Sequence, residues 1–159
     1  MNLTDKLDET DRGILKLLEK DGRISHKAIA YELHKTVTPI HARIRRLQQA
    51  GYIKRFTALV DAKKVDRGLT AYTQVLLKTH SSESLKNFMR EAVKVSEIME
   101  CYHMTGTFDF LLRIAIRDME EYNIVLVEKL SNLPEVANLQ SFFVISEAKS
   151  NTGFFFNQP

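Results

Sequence analysis

The sequence predicts an α+β chain of two small domains: an N-terminal winged helix-turn-helix of three helices plus a short strand, then a ferredoxin-like βαββαβ domain. Three observations predict it. Apolar residues recur at helical spacing in three short runs before Gly51 and change to the two-residue spacing of strands after Gly68. Charge divides the same way, with 12 Lys and Arg against 7 Asp and Glu in residues 1–60, and 11 against 13 in residues 61–159. Between Glu32 and Asp61 there is no acidic residue, yet Lys35, Arg43, Arg45, Arg46, Lys54 and Arg55 all fall there. Such a local concentration is the electrostatic footprint of a DNA-binding module.

Composition narrows the remaining classes. A chain of 159 residues with 44% hydrophobic content has enough material for two compact cores, which excludes a disordered chain. Cys101 is the only cysteine, so the sequence offers no internal disulfide and no zinc cluster, and a reducing cytoplasm fits best. The opening MNLTDKLDETDRG is acidic and polar where a secretory signal needs a basic start and an apolar run, and no stretch approaches the roughly 18 apolar residues of a membrane span. A net charge of only +3 argues against a nonspecific nucleic-acid coat. The basic patch is local and aimed.

The head, residues 1–60, builds its elements in order. Asp8 caps a helix running to about Lys20, with Ile14, Leu15, Leu17 and Leu18 at helical spacing and Glu9 and Asp11 in its first turn. The Asp21-Gly22-Arg23 break ends it. Ser25 opens a second helix of about eight residues whose apolar positions are Ile29, Ala30 and Leu33. After a turn at His34 and Lys35, a third helix starts at Thr36 or Thr38 and reaches Ala50, where Gly51 supplies a left-handed stop. The run from Tyr52 to Val60 has strand-forming composition and predicts a basic strand or wing carrying Lys54 and Arg55.

The third helix carries the decisive geometry. At about 100° per residue, Ile40, Ile44 and Leu47 share one stripe while His41, Ala42, Arg45 and Gln49 lie opposite it. One face packs and the other reads. Arg45 is the leading base reader, because a guanidinium donates two hydrogen bonds to guanine O6 and N7 at about 1–3 kcal/mol of discrimination. Thr38, His41 and Ala42 meet base edges or thymine methyls. Arg43 and Arg46 lie on the flanks, where long cationic side chains reach phosphates, as Lys54 and Arg55 would from the wing. The plain alternative is a solvated basic face in a three-helix protein-interaction domain. Ordinary solvated helices mix both charge signs, and this one does not.

Residues 61–68 read as a polar linker, and residues 69–159 as the second domain. Leu69–Thr79 is a strand, and Ser82–Val95 a helix with Leu85, Phe88, Met89 and Ala92 on one side. Ile98–Thr105 and Phe108–Arg117 are two strands joined by a two-residue hairpin at Gly106-Thr107. Asp118 to Glu121 opens a helix ending near Leu130 with a capping-box pattern, and Val136–Ile145 is the last strand. Apolar residues alternate on both faces of the strands, Phe108 to Ile116 against Leu111 and Ala115, and Phe142 and Val144 against Phe143 and Ile145. A one-sided sheet would show polar residues at every second position, so something covers the second face. A second copy in a two-fold dimer is the favoured cover, and would present two reading heads; the linker or the Phe154-Phe155-Phe156 tail is the alternative.

Several of these segments together resemble the leucine-responsive regulator and asparagine-synthesis regulator family (Lrp/AsnC), the feast/famine regulators. LDETDRGILKLLEKDGRIS resembles the family's first helix and turn, and TPIHARIRRLQQAGYIKRFTALVD its recognition helix and following strand. MTGTFDFLL is similar to its glycine-aspartate hairpin, and SFFVISEAK to its closing strand. The resemblance spans almost the whole chain and implies a bacterial or archaeal, nucleoid-associated transcriptional regulator in the cytoplasm. It further implies a homodimer, often an octamer, whose assembly or DNA affinity is modulated by a small molecule such as an amino acid. The turn departs from the family pattern: where relatives have Gly-Leu-Ser-Pro, this chain has His34-Lys35-Thr36-Val37. Thr36 keeps the capping hydroxyl, while Lys35 in the plug position points outward and reaches phosphate. The hairpin becomes Gly106-Thr107, with Asp109 retained to accept an effector's amino group and amides near Gly106 to hold its carboxylate. Met104, Ser141 and Phe143 are expected beside them on adjoining strand ends.

Other classes find less in the residues. Tetrapyrrole-metabolism enzymes resemble this architecture, with His80 or His103 as conceivable iron ligands, but a basic reading helix has no purpose there. No nucleophile motif, glycine-rich phosphate loop or paired metal ligands appears, so neither an enzyme nor a cofactor is expected.

Overall fold

The computed structural model describes residues 7–150 and Phe154. The first six residues of the polar opening, and Phe155 and Phe156 of the tail, lie outside the described residues. The described residues divide into two compact units, 7–59 together with 149, 150 and 154, and 60–148.

Three helices make the first unit: α1 (Glu9–Lys20), α2 (His26–Glu32) and α3 (Val37–Gln49). Asp8 caps α1 by accepting from the Asp11 N–H at 2.8 Å, and Asp11 returns the bond to the Asp8 N–H at 3.2 Å, a reciprocal capping box. Ser25 caps α2 through the Ala28 N–H at 3.1 Å. Their inward stripes, Ile14, Leu15, Ile29, Ala30, Ile40, Ile44 and Leu47, close one core. Thr36 is the residue before α3, but its hydroxyl makes no capping bond, so the expected cap is missing and backbone geometry alone starts the helix. The α2–α3 turn is a Schellman closure in which the Lys35 N–H donates to Ala30 O at 2.8 Å and the His34 N–H to Tyr31 O at 3.1 Å. His34 holds the left-handed position at φ 51°, where glycine would be unstrained. Gly51 fills the matching position after α3 at φ 77°.

One sequence expectation fails here. No strand forms between residues 52 and 60, because strand-forming residues need a ladder partner and no strand lies beside residues 53–60 among the described residues. The exposed polar segment 61–68 carries a 3₁₀ turn at Ala62–Val65, with Asp61 accepting from the Lys63 N–H at 3.0 Å. At Phe154 the tail meets the head, its N–H donating to Glu19 at 2.9 Å.

The second unit has the expected ferredoxin-like order: β1 (Leu69–Leu77), α4 (Ser82–Ala92), β2 (Ile98–His103), β3 (Phe110–Ile116), α5 (Met119–Ile124) and β4 (Val136–Phe143). Its antiparallel sheet is ordered β2-β3-β1-β4. Ala71, Val75, Leu77, Phe110, Leu112, Ile114 and Ile116 face α4 and α5, whose Phe88, Ala92 and Tyr122 complete the core. Phe88 stacks on Phe110 with centroids 4.5 Å apart. Asp118 caps α5 through the Glu121 N–H at 2.9 Å, as the pattern predicts. The helix then loosens into a π turn at Val125–Lys129 and a 3₁₀ turn at Leu130–Asn132. The β2–β3 connection is longer than the two-residue hairpin expected. Residues 104–109 form it, closed by the Met104 N–H on Asp109 O at 2.8 Å, with Gly106 at φ 121°. The open face of the sheet is mixed rather than apolar: Tyr72, Tyr102 and Phe142 surround an Arg113–Glu100 ion pair of 2.7 Å.

Candidate nucleic-acid interface

Burial along α3 follows the expected stripe. Ile40, Ile44 and Leu47 are sealed in the head's core, and Thr38, His41, Ala42, Arg45 and Gln49 are exposed. Lys35 and Thr36, in the turn before α3, and Lys54 and Arg55, beyond its end, are exposed as well. A surface cavity of about 530 Å³ opens beside this face, lined in part by His26, His41, Arg45, Gln48 and Phe56. Within it the His26 and His41 rings stand 5.2 Å apart. The α2 N-terminus thus contributes a histidine to this exposed face that helical spacing within α3 does not reveal.

Arg43 and Arg46 are held differently from what charge alone suggests. Arg43 Nη1 donates to Asp8 Oδ2 at 2.6 Å and to Asp11 Oδ1 at 2.8 Å, and Arg46 Nη2 donates to Asp11 Oδ2. Asp11 is buried, at 1% exposure, within the α1–α3 contact. These hydrogen bonds, to Asp8 first and then Asp11, raise the Arg43 guanidinium further above its ordinary value. The Asp11 N–H first, and Arg43 second, hold the Asp8 carboxyl below the usual range. The sequence does carry a signal for this contact. Asp11 lies three and four residues before Ile14 and Leu15, on the apolar stripe of α1, where a solvent-facing carboxylate would be out of place.

The residues named for an effector do not gather at one spot. Asp109 is buried and already engaged, with Oδ2 accepting the Leu77 N–H at 2.7 Å and Oδ1 lying 3.1 Å from His80 Nε2. Met104, Gly106 and Thr107 are exposed on the β2–β3 connection. Ser141 and Phe143 sit on β4, at the opposite edge of the sheet from β2, so they are not on adjoining strand ends with Met104. Sequence pattern identifies strands without ordering them, which is why this expectation fails. Ser141 instead bonds Thr73 at 3.0 Å and Tyr122, while Phe143 packs edge-on against Tyr122 at 4.8 Å. His103, weighed as an iron ligand, stacks on Phe110 at 5.0 Å. Among the described residues, no group of three or more His, Cys, Asp or Glu is placed to hold a metal.

Comparison with known proteins follows the same division. Residues 7–54 match the family model of a winged helix-turn-helix DNA-binding domain, and residues 70–154 that of the Lrp/AsnC ligand binding domain. The leucine-responsive regulatory protein of Escherichia coli K12 is 34% identical over 145 residues, covering 91% of this chain and 88% of that protein. The chain belongs to the Lrp/AsnC family. It is a helix-turn-helix DNA-binding transcriptional regulator of that type. A transcriptional regulator of Neisseria meningitidis, solved as its L-Met complex, superposes with a TM-score of 0.88 at 28% identity, covering 94% of this chain and 96% of the other. An AsnC family transcriptional regulator of Agrobacterium tumefaciens gives 0.88 at 29% identity, covering 93% and 96%. In this Lrp/AsnC regulator His34 occupies the turn position where the family pattern has glycine, and it takes the left-handed backbone that glycine favours.

Proposed function

We propose that this Lrp/AsnC regulator reads operator DNA by laying α3 in the major groove. Arg45 is the principal base reader, with Thr38, His41 and Ala42 at neighbouring base edges. Lys35, Thr36, Lys54 and Arg55 hold the phosphates on either side. The observation that carries this reading is the two-sided character of α3, which buries Ile40, Ile44 and Leu47 while leaving Arg45 and His41 in solvent on a face without an acidic side chain.

The second domain is the regulatory half of this reading. A small-molecule effector of the amino-acid class binds there and alters assembly or DNA affinity, a role supported by the ligand-binding family model and by the L-Met complex of the Neisseria relative. The exposed turn at residues 105–107 suits an effector carboxylate through its backbone amides. Asp109 supports that turn from beneath, since both its oxygens have partners within the chain. Ser141 and Phe143 shape the β4 edge, and enter such a site only where a second copy brings that edge to the turn. Tyr72, Tyr102 and Phe142 on the open sheet face suit a homodimer with octamers beyond it. Such a regulator works in the bacterial or archaeal cytoplasm on the nucleoid, without catalytic chemistry. Among the described residues no helix is long and apolar enough to cross a membrane.

The test is binding of the full chain to fragments of its own genome, with and without each of the twenty amino acids. The reading requires salt-dependent preference for a subset of fragments, shifted by at least one amino acid. Equal affinity for every fragment would remove the DNA-reading assignment, and indifference to all amino acids the effector assignment.

A further inference from the structure

The sequence places six cations between Lys35 and Arg55, but the structure leaves fewer of them available to DNA. Arg43 and Arg46 lie against Asp8 and Asp11, and the four side chains together carry no net charge. Asp11 is the fixed member. Its side chain is 1% exposed, whereas that of Arg46 is 50% exposed and that of Arg43 32%. A carboxylate so enclosed is tolerated only while its oxygens keep charged or hydrogen-bonding partners, so drawing either arginine away to a phosphate strands a buried negative charge.

We infer that Asp11, with Asp8, is a positioning residue that fixes α3 against α1 through Arg43 and Arg46 and withholds both arginines from phosphate neutralisation. The inference rests on the proposed duplex reading and deepens it. Neutralisation then belongs to Lys35, Lys54 and Arg55, beside Arg45. Counter-ion release makes the difference measurable, because each phosphate neutralised adds about 0.9 to the slope of log affinity against log salt. Three phosphate-facing cations give a slope of about −2.7 per head, and five, with Arg43 and Arg46 added, would give about −4.5.

The experiment is fluorescence anisotropy of the full chain on a bound genomic fragment and on a nonspecific duplex, across a salt series. Arg46→Gln is expected to leave the slope unchanged while lowering affinity for the bound fragment at every salt concentration, since α3 loses an anchor. The double variant Asp8→Asn with Asp11→Asn retains side-chain oxygens for the capping bonds and removes both negative charges. It is expected to steepen the slope by about 1.8 per head and to tighten nonspecific binding. A purely structural role would move affinity and leave both slopes alone. The inference is overturned if Arg46→Gln flattens the slope by about 0.9, or if the folded double variant shows the wild-type slope. Should circular dichroism show that the double variant does not fold, Arg46→Gln decides alone. Salt-insensitive binding by the unaltered protein would instead strike the duplex reading itself.

Discussion

The two domains put their enclosed carboxylates to different uses. In the head, Asp11 reaches across from α1 to two arginines of α3, so a buried charge sets where surface cations sit. In the second domain, Asp109 accepts the N–H of Leu77, the last residue of β1, and Glu97 pairs with Lys129 at 2.7 Å beside the start of β2. There the carboxylates finish strand ends. The contrast teaches that an acidic residue in a small domain is read correctly only with its partner in view. A count of charges treats Asp11 and Asp109 alike, while the structure makes one the partner of two α3 arginines and the other the acceptor for the end of β1.

The largest effect expected separates the two cores. Phe110→Ala removes a ring stacked on Phe88 in a sealed site, and should cost the second domain about 3–5 kcal/mol in denaturant unfolding. The head's own transition should not move; equal loss in both would break the comparison. Asp109→Ala leaves the Leu77 N–H without its acceptor and should cost about 1–3 kcal/mol. Calorimetric titration with amino acids on the same variant sharpens the point. Lost heat with unchanged stability would make Asp109 an effector ligand after all.

In the head, His34→Gly relieves a left-handed backbone at φ 51° and should stabilise by about 1 kcal/mol, read as a higher melting temperature with unchanged operator preference. Acid gives the smallest contrast. Asp8 in the head, and Glu91, Glu97, Glu100, Asp118 and Glu121 in the second domain, have carboxyls held below their ordinary values in the fold. A depressed folded value contributes stability that is present above the unfolded value of about 4 and lost as pH falls through the folded one. Melting followed from pH 6 down to pH 3 should therefore show the second domain losing more stability than the head below about pH 4. A head that fails first on acidification would reverse that expectation.

Much of this was legible in the sequence wherever burial follows period. Ile40, Ile44 and Leu47 mark the packed side of α3, Phe110 to Ile116 the helix-facing side of β3, and Asp8, Ser25 and Asp118 the helix starts. Hidden features were those that depend on a distant partner. Arg43 looks free until Asp8 and Asp11 are placed beside it, and Met104 and Ser141 look adjacent until β2 and β4 take opposite edges. Residues 52–60 look like a strand because local composition says nothing about whether a ladder partner exists. The six-residue β2–β3 connection was masked by Gly106-Thr107, a pair equally suited to a tighter turn.

The central claim, that α3 reads duplex sequence through Arg45, is tested most directly by anisotropy with Arg45→Ala on an operator and its single-base variants at fixed salt. Discrimination should fall by about 1–3 kcal/mol at one base position, with the other positions keeping their preferences. Equal weakening on every duplex, or no change on any, would contradict it.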